Sequence, residues 1–219
     1  NLSYEEIKSS SMEELKNIVN PLLQWFQVNK RDLPWRRTKD PYCIWVSEIM
    51  LQQTRVEAVK PYYHRFIEKL PAVKDLAEAD EETILKLWEG LGYYSRVRNM
   101  QKAAIQIMQD HDGKFPADEK KLRKLKGIGP YTAGAVGSIA FQLQIPAVDG
   151  NVLRVMSRLT ADPSDISLQA TKRTWEERIT EILPIDRPGD LNQALMELGA
   201  TICLPNGVPK CEICPIRKY

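Results

Sequence analysis

Apolar residues recur at helical spacing through most of the chain. Met12, Leu15, Ile18, Val19, Leu22, Leu23 and Phe26 predict an amphipathic helix over residues 11–28, with Pro21 placed to split it. After the polar, proline-bearing connection Arg31-Asp32-Leu33-Pro34-Trp35-Arg36-Arg37, Pro41 opens a long helix over about 42–70. Ile44, Trp45, Ile49, Val56, Val59, Tyr63, Phe66 and Ile67 supply its buried stripe, and Pro71 ends it. Another helix starts at 79–82 with acidic residues in its first turn, carries Ile84, Leu85, Leu87 and Trp88, and stops at Gly90-Leu91-Gly92-Tyr93-Tyr94. Helical spacing resumes over 97–108, 152–159, 169–182 and 190–199, with a loop at 111–116 and breaks at Pro184, Pro188 and Gly189. No stretch alternates apolar and polar residues with β-branched enrichment, so the chain reads as all-α. There is no internal repeat and no low-complexity segment.

One stretch, LRKLKGIGPYTAGAVGSIAFQLQIPAVDGN over 122–151, departs from that amphipathic pattern. Leu125-Lys126-Gly127-Ile128-Gly129 reads as a helix stop, a turn and a helix start, because glycine supplies the positive φ that a hairpin between helices needs. Pro130 falls where a first helical turn tolerates a missing N–H, and Tyr131-Thr132-Ala133-Gly134-Ala135-Val136 continues as a small-residue helix. Backbone N–H groups at Gly127, Gly129 and their neighbours would then be offered to an anion, a DNA phosphate being the obvious one. The competing reading is an ordinary packing corner between helices. Two features weigh against it: the basic run Lys120, Lys121, Arg123, Lys124, Lys126 before the turn, and the lone carboxylate of Asp149 in Val148-Asp149-Gly150-Asn151 after it.

Composition narrows the class without choosing a partner. A chain of 219 residues can bury one sizeable core or two smaller lobes, and 43% hydrophobic with 27% charged residues is the balance of a globular protein. A net charge of +2 does not decide about nucleic acid, since a basic face can be cancelled elsewhere. No apolar run is long enough to cross a bilayer, and Asn1-Leu2-Ser3-Tyr4-Glu5 lacks a basic-then-apolar signal, so an intracellular protein is expected. Cys203, Cys211 and Cys214 crowd the C-terminal end, a pattern that reads as metal or iron–sulfur ligation before disulfide, whereas Cys43 beside Ile44 and Trp45 reads as a small buried residue.

Glu48 stands alone in the apolar run WVSEIMLQQT. On a helical wheel it shares a face with Ile44, Leu51, Gln52 and Arg55, so it faces a half-buried pocket on this reading. A buried carboxyl without a partner keeps its proton to higher pH, which suits a general acid near neutrality. The alternative is a solvated glutamate or a pair with Arg55.

Together these motifs resemble the helix-hairpin-helix DNA glycosylase superfamily. WVSEIMLQQTRVEAVKPYY with GLGYYSRVRNMQKAA resembles its adenine-excising branch, the MutY-type adenine DNA glycosylases, over nearly the whole chain. The resemblance implies a six-helix lobe over 33–144 with the hairpin, and a second helical lobe made of 1–32 and 145–219 with a C-terminal cluster loop. It implies a base-excision-repair enzyme that hydrolyses the bond between adenine and its sugar where adenine is mispaired with 8-oxoguanine or guanine in double-stranded DNA. A monomer is expected, in the bacterial cytoplasm or in the nucleus or mitochondrion of a eukaryote. Carried over, Glu48 protonates adenine N7 and Asp149 stays ionised to stabilise the oxocarbenium-like sugar, two carboxylates in separate roles on one bond. Tyr131 stands where the endonuclease III branch has a lysine; a phenol cannot form a Schiff base, so a monofunctional enzyme is expected.

By the same resemblance Gln53 fills the space of the extruded base, and Trp35, Arg36, Leu51 and Gln52 line or flank the base pocket. Trp35 and Leu51 have core positions as their rival reading, and Gln53 that of a solvated amide. Asn151 orients Asp149 or the sugar, or else caps the next helix. Cys203, seven residues, Cys211, two residues, Cys214 resembles the [4Fe–4S] motif of the superfamily, whose first gap is usually one residue shorter. A fourth cysteine is expected just beyond Tyr219, with zinc as the structural rival. The 8-oxoguanine-recognition domain of the branch lies outside the resemblance, so weaker discrimination of 8-oxoguanine from guanine is expected. Two other readings stay open: a thymine or uracil mismatch glycosylase, and a non-catalytic module that binds damaged DNA.

Overall fold

Side-chain caps from Ser3, Asp40, Asp80, Asp118 and Asp149 set where several of the helices begin. The structure, a computed structural model, describes residues 3–219. Asn1 and Leu2, the first positions of the stretch read above for a leader, lie outside them, as do the side chains of Tyr4, Ile7, Lys8, Ser9 and Ser10. In chain order the helices are α1 Tyr4–Lys16, α2 Val19–Asn29, α3 Pro41–Leu51, α4 Val56–Lys69, α5 Val73–Glu78 and α6 Glu81–Trp88. They continue with α7 Ser95–Asp110, α8 Glu119–Arg123, α9 Pro130–Phe141, α10 Gly150–Thr160, α11 Gln169–Ile182 and α12 Pro188–Thr201. Short 3₁₀ turns cover Pro34–Arg36 and Cys211–Ile213. Among the described residues there is no strand, as the pattern predicts, and no helix long and apolar enough to cross a membrane.

The chain divides into two units, 32–141 and the combination of 1–31 with 142–219. In the 32–141 unit Asp40 caps α3, its Oδ1 accepting the Tyr42 N–H at 2.9 Å, and Pro41 takes the first helical position. Trp45, Met50, Phe66, Leu76, Ile84, Trp88, Met100, Ile107 and Leu122 are fully buried there. Each such side chain contributes about 1.5–3 kcal/mol by leaving water.

Two expectations from periodicity need correction. The single helix over 42–70 is two helices, α3 and α4, separated at 52–55, where Gln53 takes φ +62°. Val56 and Val59 resume the apolar stripe in phase, so the spacing of hydrophobic residues carries no trace of the interruption. The helix over 11–28 is likewise two, and the break falls at Asn17-Ile18 rather than at Pro21. Pro21 lies in the first turn of α2, where its missing N–H costs no helical bond.

In the other unit α1, α2, α10, α11 and α12 enclose Ile18, Leu22, Met156, Trp175, Ile179, Leu191, Leu195 and Leu198. A half-buried ion pair ties Arg31, just past the end of α2, to α12. The side chain of Glu197 is 0% exposed; its Oε1 accepts Arg31 Nε at 2.8 Å and its Oε2 the Arg31 backbone N–H at 2.9 Å. Removing the arginine leaves a carboxylate buried without its counter-charge. Arg31→Met is therefore expected to destabilise the protein by roughly 2–4 kcal/mol, toward the low end for a buried pair because Arg31 is 39% exposed. Urea unfolding checks this, and a midpoint equal to the wild type's would show that the pair adds nothing.

Candidate active site

Glu48 is half-buried in the last third of α3. Its Oε2 accepts a hydrogen bond from the Tyr131 hydroxyl at 2.8 Å. The helix that carries Tyr131 explains how the two meet. In α9, Ala133, Gly134, Ala135, Val136 and Gly137 are all buried, and their small side chains let α3 lie close against it. Glu48 thus has a partner drawn from 83 residues away, where the sequence offered only Arg55. Because α3 ends at Leu51, Gln52 and Arg55 do not share the helical face of Glu48, which corrects that part of the wheel reading.

Past the end of α3 the side chains diverge. Leu51 and Gln52 are half-buried and Gln53 is exposed, in the left-handed backbone region that non-glycine residues enter at a cost of about 1–3 kcal/mol. Tyr93, 66% exposed with φ +47°, is held in the same way in the turn before α7. Such strain gathers at functional turns. Trp35 is core, stacked edge-on to Tyr63 at 5.4 Å, and Arg36 beside it is half-buried.

The hairpin forms between α8 and α9, with Gly127 at φ +77° as the turn requires; Gly129 does not need a positive φ. Both glycines are exposed, as are Lys120, Lys121, Arg123, Lys124 and Lys126. Not every neighbouring amide is available, contrary to expectation. The Lys126 N–H donates to Gln106 Oε1 at 2.7 Å and the Ile128 N–H to the Leu125 carbonyl at 3.1 Å.

Asp149 belongs to the other unit and caps α10. Its Oδ1 accepts the Val152 N–H at 2.9 Å, and its Oδ2 accepts Asn151 Nδ2 at 3.1 Å. Asn151 is held in turn by Arg154, whose Nη2 donates to Asn151 Oδ1 at 3.0 Å and to the Gly199 carbonyl. Gly199 permits this approach: a Cβ there would lie 2.8 Å from that of Asn151. The helix cap is thus Asp149 itself, and Asn151 donates to its carboxylate.

Cys203, Cys211 and Cys214 are free thiols on the segment after α12. Arg158 Nη1 lies 3.4 Å from Cys203 Sγ. Burial pushes the Cys214 thiol up, the Ile216 backbone lowers it by less, and Cys203 and Cys211 add to the rise. Three thiols are one fewer than a four-iron cluster takes. Among the described residues no group of three His, Cys, Asp or Glu side chains is placed to hold a metal ion, so as they stand these cysteines do not form a ligand set.

Glu197 and Arg96 are two side chains that the sequence does not mark as candidates. The signal for Glu197 was the one used for Glu48, a single carboxylate in the apolar run Ala194-Leu195-Met196-Glu197-Leu198. Arg96, beside the Gly90–Tyr94 interruption, had no such signal.

Residues 46–182 match the family described as HhH-GPD superfamily base excision DNA repair protein. The chain is 41% identical over 232 residues to the adenine DNA glycosylase of Arabidopsis thaliana, covering 94% of this chain and 36% of that protein. It is 44% identical over 205 residues to the adenine DNA glycosylase of Rattus norvegicus, covering 90% of this chain and 40% of that one. The chain thus spans well under half the length of these relatives. Among solved structures a thermostable thymine-DNA glycosylase aligns with a TM-score of 0.83 and 30% identity, covering 96% of this chain and 95% of that one.

Proposed function

Because the chain belongs to the HhH-GPD superfamily of base excision DNA repair proteins, we propose that it is a monofunctional DNA glycosylase that releases adenine opposite 8-oxoguanine or guanine in duplex DNA. The observation that carries the reading is the hydrogen bond from Tyr131 to Glu48. It places a phenol, and not an amine, beside the lone carboxyl of α3. The similarity to adenine DNA glycosylases supports the choice of base.

In this reading the Glu48 carboxyl gives its proton to adenine N7, and the glycosidic bond breaks with its electron pair passing to the base. Asp149 offsets the positive charge that develops on the sugar, with Asn151 keeping the carboxylate in place. Water then adds to the anomeric carbon and loses a proton, which leaves free adenine and an abasic site. No amine attacks the sugar, so the strand stays whole. The exposed lysines before the hairpin and the amides of Gly127 and Gly129 hold the phosphate backbone, Gln53 enters the vacated stack, and Arg36, Leu51 and Gln52 flank the extruded base.

Single-turnover release from duplexes carrying adenine, thymine or uracil opposite guanine or 8-oxoguanine tests this. Adenine is expected to leave fastest, without strand cleavage and without a covalent adduct on borohydride treatment. Efficient trapping would contradict the monofunctional reading. The thymine-DNA glycosylase likeness favours one second reading, thymine release from a mismatch, and faster loss of thymine than adenine would establish it.

The cysteine spacing supports a [4Fe–4S] group on Cys203, Cys211 and Cys214 only together with a fourth thiolate, and no step above uses it. Iron and acid-labile sulfide are expected in anaerobically purified protein that carries the fourth thiolate, lost in Cys211→Ser, and a labile or absent cluster is expected without it. Bound zinc without sulfide would identify the structural rival.

A further inference from the structure

We infer that Arg96 is a positioning residue that locks the turn presenting Gln53 to the turn presenting Tyr93, so that both meet DNA as one rigid element. The inference rests on the DNA-repair reading above. Arg96 is the second residue of α7. Its Nη1 donates to the Ile49 carbonyl at 2.8 Å and the Gln52 carbonyl at 2.6 Å, both at the end of α3. Its Nη2 donates to the carbonyls of Leu91 and Gly92 at 3.2 and 3.3 Å, in the turn before α7. The guanidinium also lies over Trp88 at 5.2 Å and Tyr93 at 5.9 Å, and its Nε is buried without an acceptor.

Four carbonyls from two separate turns thus close on one cation. The last carbonyls of a helix have no partner inside it and attract positive charge, which accounts for the α3 half of the contact. A planar fork reaches acceptors on two sides at fixed angles, and an ammonium on a flexible stem does not. Each turn also carries a residue in the left-handed region, Gln53 at φ +62° and Tyr93 at φ +47°, both with exposed side chains. A strained backbone persists only where its surroundings over-determine it, and the Arg96 bonds hold the carbonyls of Gln52 and Gly92, the residues directly before Gln53 and Tyr93. A side chain that must displace a base from its stack loses force if its own backbone yields, so the clamp makes insertion effective.

The test compares single-turnover adenine release by wild type, Arg96→Met and Arg96→Lys from two duplexes. In one, adenine faces 8-oxoguanine; in the other it faces an abasic gap and is already loosened from the stack. Arg96→Met is expected to lose about tenfold or more on the paired duplex and only about twofold on the gapped one, with Arg96→Lys between wild type and Arg96→Met on the paired duplex. Equal losses on both duplexes, no loss on the paired one, or full rescue by lysine would overturn the inference. If Arg96→Met does not fold, the comparison of the two duplexes with Arg96→Lys decides by the same criterion. Amide hydrogen exchange over 50–54 and 90–94 should accelerate together in the variants, and acceleration confined to one turn would also overturn it. A wild type that releases adenine from neither duplex refutes the functional reading instead, and the exchange measurement then still judges the clamp.

Discussion

Glu48→Gln is expected to slow adenine release by about 10²–10⁴-fold, the range over which a positioned general acid contributes. Glutamine keeps the shape of the side chain, and its carbonyl can still accept the Tyr131 hydroxyl, so the packing of α3 on α9 should be preserved. What disappears is the proton. Affinity for the mismatched duplex and the unfolding midpoint should therefore stay near the wild-type values while the chemical step fails. Single-turnover kinetics with saturating enzyme separate these quantities. Wild-type release by Glu48→Gln would remove the general acid from the mechanism. Retained damage-dependent binding with no release by the wild type would leave only a binding module.

Asp149→Asn is expected to cost about 10²–10³-fold in release, as for loss of one electrostatic contact to a charge developing in the transition state. Asparagine serves almost as well as aspartate at a helix N-cap, so it should still accept the Val152 N–H that Asp149 Oδ1 accepts at 2.9 Å. Stability should then fall by about 1 kcal/mol or less, because the new amide nitrogen cannot accept the Asn151 Nδ2 donor that Asp149 Oδ2 accepts. Asp149→Ala loses the cap as well and should cost about 1 kcal/mol more, on top of the catalytic loss. Comparing the two variants by urea unfolding and by single-turnover rate separates the charge from the cap. If asparagine supported full activity, Asp149 would be no more than the start of α10.

The two expectations differ in what the sequence could support. Asp149 stands out in the sequence as a lone carboxylate after the hairpin helix, with Asn151 as the candidate cap, and the structure makes Asp149 itself the N-cap of α10. Glu48 was conspicuous as a lone carboxylate in an apolar run, yet its hydrogen-bond partner could not be read from its neighbours. The same run concealed the end of α3, because hydrophobic spacing continues in phase across the Gln53 turn. The hairpin was legible down to Gly127, since a positive φ leaves a direct trace in residue choice. Capture of the Lys126 amide by Gln106 left none.

Helical class, the hairpin turn, the small-residue helix behind it and the lone carboxylates can be read from residue order alone. Each depends on backbone preferences and periodicity that act within a few residues. Only the folded chain joins Tyr131 to Glu48 across 83 positions, Arg96 to the Ile49 carbonyl across 47 and Arg31 to Glu197 across 166. Those contacts arise from which helices bury their apolar faces against each other. Residues so distant in sequence meet only once that burial is complete, so no local pattern records them.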